Sequence, residues 1–391
     1  MIPAGYAEVV NELTGTLRSH AAETDDQARF PTDSLAALRA SGLMGLLVPV
    51  EHGGLGGDLF DLISIASRLA EGCVSSAMIW AMHCQQVDAI ARHGTPELHE
   101  HLLKRIAAGQ VYLASVTTEP RKGGHLLTAR APVRDTGSEL TFERDAPVVT
   151  GGTRADGFLI TMRAAEDAAD HEVTLLYADR DQLELKVVGA WNPTGMRATD
   201  SRGLWLSGRV PQHSLIGGPG AFREVAMESM IPLAHLGWSA CWLGGARGTL
   251  RELVGSLRDR SWRLDLGSDL TRERLARIRM DLELVAAYLR QVCAEVAAAR
   301  EAGVSLAHPT SQIHLDVLKV AAAELTFRAA DRMVKLAGLS RGYSRDASVP
   351  VERVFRDLRS ASLNYADDRL LGAIGSLTPL DRGVTLAGFD A

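Results

Sequence analysis

The sequence contains few cysteines and few aromatic residues. Its 391 residues include four cysteines, which lie far apart, at Cys73, Cys84, Cys241 and Cys293. Because no CxxC pair or Cys/His cluster occurs, the sequence indicates neither a zinc site nor a disulfide framework. Aromatic residues make up only 5% of the chain, whereas Ala and Leu dominate, which favours helix. We therefore expect a mainly helical protein without a metal site, in a reducing compartment.

An excess of positive charge and long apolar runs are also missing. Lys and Arg total 42 against 48 Asp and Glu, and the net charge of −6 disfavours nucleic acid or an anionic membrane surface as the main partner. No apolar run reaches the length of about 18 residues that a membrane span requires. Glu8 and Glu12 occupy a stretch where a signal peptide is basic and then apolar. These absences predict a cytoplasmic protein that does not enter a membrane.

The residue pattern divides the chain into three parts. Residues 1–110 contain apolar helical segments and predict an all-α domain. Residues 111–218 contain short β-prone runs between turn signals, which is typical of a small barrel or sandwich. Residues 219–391 return to helix, with apolar residues spaced alternately by three and four, at Leu275, Ile278, Leu282, Val285, Leu289, Val292 and Val296. That stripe is typical of a helix in a bundle, so we predict a helical bundle at the C-terminus.

Five segments in chain order resemble those of one protein family. They read "MGLLVPVEHGGLGGD", "SVTTEPRKGG", "PVVTGGTRAD", "TGMRATDSRGLWLSGRVPQHSLIGGPG" and "PVERVFRDLR". Together they resemble the acyl-CoA dehydrogenase family of flavoproteins over nearly the whole chain. The resemblance implies that family's fold, with an N-terminal helical domain, a small β-barrel and a C-terminal four-helix bundle. It also implies FAD bound between barrel and bundle, with FMN as the alternative, in a homotetramer or a homodimer.

The resemblance assigns flavin contacts to three threonines. Thr117 and Thr118 fall on the strand beside the flavin pyrimidine, where backbone N–H groups and a threonine hydroxyl bind flavin oxygens in the family. Donors placed there stabilise the negative charge of the reduced ring. Thr150 falls on the position that contacts the flavin near N5 and O4.

Four positions depart from the family's cofactor pattern. Gly124 replaces a serine that usually touches the pyrophosphate, and Val148 replaces a tryptophan that usually stacks on the ring. Arg260 stands where an arginine reaches a neighbouring subunit's cofactor, but the glycine that normally follows is missing. Lys335 replaces the usual glutamine, although a lysine can still meet phosphate as a point charge.

The family's catalytic base is missing from its usual place. Family dehydrogenases use a glutamate to remove the α-proton of a thioester, and Tyr365 stands at that position. A tyrosine with a pKa of about 10 is a poor base near neutrality. His235, on the first long helix of the bundle, is the predicted substitute, and Glu224 and Glu228 are weaker candidates. His83 either faces the flavin-side cavity or is a core histidine bonded to a backbone carbonyl.

Three functions remain open from the sequence. The leading prediction is a flavin-dependent oxidoreductase that dehydrogenates an acyl thioester, carried on CoA or a carrier protein, and passes electrons to an acceptor. The departures from the family pattern favour a role in specialised biosynthesis. The second is a flavin-dependent monooxygenase or N-oxygenase of the same fold, which uses O₂ and flavin supplied by a reductase. The third is a catalytically inactive family member, since the base and the pyrophosphate serine are both lost.

Overall fold

The computed structural model describes residues 4–121, 124–257 and 264–389. The N-terminal part consists of helices α1 Ala7–Gln27, α2 Thr32–Ala40, α3 Leu59–Ala70, α4 Val74–His93 and α5 Pro96–Ala107. Local sequence sets where these helices begin. Asp58 caps α3 by accepting the Asp61 N–H, and Thr95 caps α5 by accepting the Leu98 N–H, with Pro96 in the first helical position. Most side chains of α4 are buried, and they include polar ones such as Gln85 and Gln86.

Eight strands follow and form two four-stranded sheets. They are β1 Leu113–Val116, β2 Val133–Asp135, β3 Glu139–Ala146, β4 Gly157–Arg163, β5 Val173–Asp179, β6 Leu183–Val188, β7 Gly203–Pro211 and β8 Leu215–Ile216. The sheet orders are β1-β4-β5-β8 and β2-β3-β7-β6. Only the β1–β4 pair is parallel among the described pairings, and a bridge between Pro132 and Arg163 joins the two sheets. The sequence-based domain boundaries remain predictions.

The C-terminal part is a helical bundle. Its helices are α6 Phe222–Val225, α7 Ile231–Ser256, α8 Asp269–Ala302, α9 Pro309–Gly338, α10 Val351–Arg359 and α11 Asp367–Leu377. α9 packs against α7 and α8, and α10 and α11 both pack on α9. The predicted α8 stripe is buried from Ile278 to Val296, and Leu275 is half-buried at its start. The predicted fold class, mainly α with a central β region, is confirmed. Among the described residues, no helix combines the length and apolarity needed to cross a membrane.

One contact ties the β region and α1 to α10. Arg356 on α10 forms an ion pair with Asp25 of α1 at 2.6 Å and donates to the Thr194 carbonyl at 2.9 Å. The neighbouring Asp357 accepts the Met196 N–H at 2.6 Å. These bonds explain the "RD" pair in "VERVFRDLR", and they fix the position at which α10 leads into the Tyr365 segment.

The same contact requires glycine at position 195. A Cβ on Gly195 would lie 1.9 Å from the Arg356 carbonyl oxygen. Because the contact is with backbone, one of the two backbone segments would have to shift. Gly195→Ala should therefore lower the free energy of unfolding by roughly 1–3 kcal/mol, measured by chemical denaturation.

Gly15→Ala is the matched control for this substitution. Gly15 is exposed within α1 and has no atom within 4 Å of a built Cβ. That variant should be stabilised by about 0.5–1 kcal/mol because alanine favours helix. Equal unfolding midpoints for Gly195→Ala and the wild type would contradict the close approach.

Candidate active site

A cavity of about 460 Å³ opens where α4, the end of β1, α7 and the α10–α11 segment meet. Much of its wall is apolar, and that part includes Met82, Leu126, Met230, Ile231, Ala234 and Trp238. The polar part includes Ser115, Asn364 and Arg369. Within the described ranges, no group of three or more His, Cys, Asp or Glu side chains is arranged to bind a metal ion. The cavity therefore suits an organic ligand with both apolar and polar portions.

Seven of the site residues expected from the sequence line this cavity. They are Thr117, Thr118, Gly124, Val148, Thr150, His235 and Tyr365. His83 and Lys335 do not line it, and Arg260 is outside the described residues. The cavity thus brings together the segments around Thr117, Thr150, His235 and Tyr365, the first and last of which are more than 200 residues apart in the chain.

The threonine hydroxyls are engaged by the protein itself. Thr118 donates its hydroxyl proton to the Val148 carbonyl at 2.8 Å and accepts the Val148 N–H at 3.2 Å. Thr150 shares a hydrogen bond with Ser201 at 3.1 Å. Since a hydroxyl has one proton to donate, the Thr118 side chain has none left for a flavin oxygen. The expected contact from that hydroxyl is therefore replaced by a link between β1 and the segment after β3.

His235 is a buried histidine in the cavity wall. Its side chain is 2% exposed, and Nδ1–H donates to the Leu315 carbonyl of α9 at 3.1 Å. Nε2 is therefore the unprotonated nitrogen, and it has no hydrogen-bond partner in the part of the chain that the structure describes. Burial, reinforced by the nearby Lys319 cation, lowers the pKa of His235 to about 3. The imidazole is thus neutral at physiological pH, with one free acceptor.

Lys319 of α9 holds the segment that carries Tyr365. Its fully buried ammonium donates to the carbonyls of Ala361 and Tyr365, at 3.0 and 2.8 Å, and to the Asp367 carboxylate at 2.5 Å. Tyr365 has φ +54°, a left-handed conformation that is costly for a residue with a side chain. One buried cation therefore stabilises the backbone path at the position of the family's glutamate.

Tyr365 acts as a neutral phenol in this cavity. Its ring centroid lies 6.5 Å from that of His235. Burial raises the pKa of Tyr365, the Asp316 charge raises it further, and Arg369 opposes the change. A phenol with a raised pKa keeps its proton near neutrality, so Tyr365 can donate a hydrogen bond but is not a suitable base.

A carboxyl group missed by the sequence reasoning lies behind His235. Asp316 of α9 is 8% exposed, and its Oδ1 is 3.7 Å from His235 Nδ1. Burial raises the pKa of Asp316 to about 7, although Lys319 opposes this rise. A signal was present, because Gln312, Asp316, Lys319 and Ala323 are spaced by four, three and four on one buried face of α9. Charged residues on a bundle-facing stripe indicate a buried polar cluster.

Arg369 is a second residue that the sequence reasoning missed. It is half-buried at the cavity wall, and a Cβ on Gly124 would lie 3.7 Å from its guanidinium carbon. Its guanidinium has no ion pair or hydrogen bond with any residue in the described ranges. An unpaired arginine beside a cavity is suited to a carboxylate or phosphate ligand.

The structure gives His83 and Lys335 other surroundings than those expected. His83 Nε2–H donates to the Met44 carbonyl at 2.9 Å, and Nδ1 accepts the Leu113 N–H at 3.1 Å. With both ring nitrogens occupied and burial lowering its pKa to about 4, His83 joins α4 to β1 instead of facing the cavity. Lys335 lies on an exposed face of α9 and pairs with Asp331 at 2.6 Å.

Loss of the Lys319 cation should strongly destabilise the bundle. Lys319→Met leaves Asp367 and two carbonyls without their partner, so we expect the free energy of unfolding to fall by about 3 kcal/mol. The double variant Lys319→Met, Asp367→Asn should lose less than the sum of the two single variants, because they share one interaction. Chemical denaturation measures all three.

Lys335→Met provides the control on the same helix. Because Lys335 is exposed, this change should stay within about 0.5 kcal/mol of the wild type. A Lys319→Met protein that unfolds at the same denaturant concentration as Lys335→Met would contradict the anchoring role of Lys319.

Comparison with known proteins adds two family matches. Residues 7–110 match the model of the N-terminal domain of acyl-CoA dehydrogenases. Residues 223–364 match the model of the C-terminal domain. A curated relative, the short-chain specific acyl-CoA dehydrogenase of Clostridium acetobutylicum, is 25% identical over 342 residues, which is 87% of each chain.

Solved structures share the fold over nearly the whole chain. TdsC from Paenibacillus sp. A11-2, solved with FMN and indole, superimposes with a TM-score of 0.87 at 21% identity, covering 100% of both chains. Butyryl-CoA dehydrogenase from Megasphaera elsdenii gives a TM-score of 0.82 at 19% identity, covering 95% of this chain and 96% of its own. The two domain models together account for more than half of the residues, and the chain belongs to the acyl-CoA dehydrogenase family.

Proposed function

We propose that the protein is an FAD-dependent oxidoreductase that dehydrogenates an acyl thioester, with His235 as the base that meets the α-proton. The observation that carries this proposal is the free Nε2 of a neutral His235 in the cavity wall. Among the described lining residues there is no carboxylate, so His235 is the strongest proton acceptor that touches the cavity. The thioester would be carried on CoA or a carrier protein.

The residues around the cavity fit a flavin nucleotide. Arg369 supplies a positive charge for a phosphate group, with no ion pair to any described residue, and Gly124 beside it leaves the space of a side chain free. The strand end at Thr117 and Thr118 presents backbone to the same cavity. When bound, the flavin supplies the acceptor for the substrate's hydride. FAD is the proposed cofactor, with FMN as the alternative.

Side chains of the protein would provide proton transfer, a hydrogen bond to the substrate and exclusion of water. His235 takes the α-proton at Nε2, which is oriented because Nδ1–H is held by Leu315. Tyr365 keeps its phenolic proton and can donate a hydrogen bond to a substrate oxygen. The apolar surfaces of Met230, Ile231 and Trp238 exclude water and accommodate an acyl chain. A homotetramer or homodimer and a separate electron acceptor belong to the same proposal.

The role of Arg369 is testable by flavin titration without turnover. Arg369→Ala should weaken the binding of FAD and FMN by about tenfold or more, because one charge-assisted contact to phosphate is lost. Riboflavin, which has no phosphate, should bind both proteins equally. Arg279→Ala, which removes an exposed arginine paired with Glu283, is the charge-matched control. Unchanged affinity for FMN and FAD in Arg369→Ala would exclude Arg369 as the phosphate contact.

The role of His235 is testable by anaerobic flavin reduction. With a panel of short- and medium-chain acyl-CoA thioesters, His235→Ala should reduce the flavin about 10² to 10⁴ times more slowly than the wild type. Tyr365→Phe should have a smaller effect, since the phenol is not the base. Stopped-flow absorbance measures both rates. Equal rates in His235→Ala and the wild type would remove His235 as the base.

A flavin-dependent monooxygenase is the second candidate. It is favoured by the lack of a carboxylate at the described cavity wall and by the similarity to TdsC, a dibenzothiophene monooxygenase. Mixing the reduced protein with O₂ separates the two functions. A long-lived, oxygen-dependent absorbance band supports the monooxygenase, whereas flavin bleaching by a thioester under anaerobic conditions supports the dehydrogenase. A protein that binds flavin weakly and shows neither signal would be the inactive family member.

A further inference from the structure

The polar atoms behind His235 lie on a single turn of α9. His235 Nδ1 is 3.1 Å from the Leu315 carbonyl oxygen and 3.7 Å from Asp316 Oδ1. The Asp316 carboxyl is nearly buried, and within the described ranges no hydrogen bond reaches it. A buried carboxyl without a hydrogen bond is costly, so its presence calls for an explanation.

His235 by itself is a poor final holder of a proton. Protonation at Nε2 would create an imidazolium in a buried wall close to the Lys319 cation, and both influences lower the pKa of His235, to about 3. A base with this pKa would return the proton to the substrate at neutral pH. Asp316, in contrast, has a pKa raised to about 7 by burial, which suits a group that accepts a proton near neutrality.

Building on the proposed function, we propose that His235 relays the substrate's α-proton to Asp316. The α C–H bond breaks and Nε2–H forms, while Nδ1–H breaks and Oδ1–H of Asp316 forms. The α C–H electron pair becomes the new C=C bond of the substrate, whose β-hydride the flavin would accept, so the substrate is oxidised by two electrons. His235 is neutral before and after, with its proton exchanged between the two nitrogens. Asp316 thus replaces the missing glutamate as the final acceptor without touching the substrate.

The geometry requires only a small movement. Nδ1–H now points at the Leu315 carbonyl, and Asp316 is the next residue on the same turn of α9. Bringing Oδ1 from 3.7 Å to hydrogen-bond distance needs a shift of roughly half an ångström. Rotation of the Asp316 carboxyl or a tilt of the imidazole supplies that shift. The relay therefore uses side chains already in place.

The charged and titratable neighbours explain why Asp316 holds a proton near neutrality. Lys319 favours the carboxylate, but its charge is largely compensated by Asp367 of α11, 2.5 Å away. From the segment before α11, Tyr365 lies close enough for the charges of Asp316 and Arg369 to act on its phenol. From α7, His235 is neutral. The acceptor thus gains little stabilisation of its charged form.

The sign of the pH dependence follows from these groups. Below pH 7 Asp316 already carries a proton and cannot accept another, so flavin reduction should be slow. As pH rises through about 7 the carboxylate forms and the rate should rise to a plateau. The wild type should therefore show a rising limb in the pH profile of anaerobic flavin reduction with an acyl-CoA thioester. A flat profile between pH 6 and 8 in the wild type would overturn the relay. This measurement requires no variant.

Asp316→Asn tests the residue directly. The amide has the same shape but cannot accept a proton, so flavin reduction should slow at least tenfold and the rise through pH 7 should disappear. Asp357→Asn is the matched control, because Asp357 is also buried with a pKa raised to about 7 but lies at the Met196 contact. That control should keep the wild-type profile. Wild-type rates and profile in Asp316→Asn would overturn the proposal.

A second readout needs neither flavin nor turnover. Infrared difference spectra of protein labelled with ¹³C-aspartate should contain a protonated-carboxyl band that disappears as pH rises through 7. Because burial raises the pKa of both Asp316 and Asp357 to about 7, two components are expected in this band. Asp316→Asn should remove one component and Asp357→Asn the other, and a band of wild-type intensity in Asp316→Asn would count against the relay. If His235→Ala reduces the flavin slowly but Asp316→Asn reduces it at the wild-type rate, the relay is excluded and the proposed function is not. If His235→Ala reduces the flavin as fast as the wild type, the proposed function itself is excluded.

Discussion

The Lys319 ammonium is the interaction on which the candidate site depends. It is fully buried, and its three donors reach the Asp367 carboxylate and the carbonyls of Ala361 and Tyr365. An isolated buried cation is strongly disfavoured, so the pairing with Asp367 and the two carbonyls is a condition for this arrangement. The same charge lowers the pKa of His235 and opposes the rise in that of Asp316. One side chain therefore controls both the backbone of the Tyr365 segment and the proton affinities beside it.

The fixed position of α10 also holds the segment that carries Tyr365, at the end opposite to α11. Arg356 and Asp357 bind α1 and the loop before β7, and Gly195 allows that loop to touch the helix backbone. The segment from Ala361 to Asp367 is thus held at its start by α10 and along its length by Lys319. A left-handed Tyr365 persists because the surrounding structure determines it from both ends. The phenol is consequently placed beside His235 with little freedom to move away.

Much of the fold and part of the site could be predicted from the sequence. Helices and strands follow from local periodicity, and five motifs in order were sufficient to indicate the family. The cavity threonines and Tyr365 could be expected because each lies within or close to such a motif, and His235 because it lies on the first long helix of the bundle. His83 was ambiguous, since only the backbone of Met44 and Leu113 decides that both its nitrogens are occupied. That information comes from residues about 30 to 40 positions away and leaves no trace in the local sequence.

The missed residues share a physical cause. Asp316 and Lys319 lie inside a long helix where charged residues usually face solvent, and their partners come from α7 and from the segment before α11. In sequence Arg369 resembles an ordinary surface arginine, and only the folded chain leaves it beside Gly124 without a partner in the described residues. The spacing on α9 indicates that Asp316 and Lys319 are buried. Their pKa values, however, depend on which charged side chains of other helices pack against them. Pairing across helices is decided by tertiary packing, which periodicity alone does not encode.

The replacement of the glutamate by Tyr365 changes more than one side chain. A carboxylate at that position would lie close to Asp316 and would disfavour its ionisation further, since like charges in one buried site repel. A neutral phenol removes that repulsion and leaves Asp316 as the carboxyl nearest the imidazole. In the proposed relay, the negative charge needed for proton transfer lies in the layer behind the cavity wall, and His235 connects that layer to the substrate. Under this proposal, Tyr365 at the expected glutamate position and a buried Asp316 that no hydrogen bond reaches within the described residues are two parts of one electrostatic arrangement.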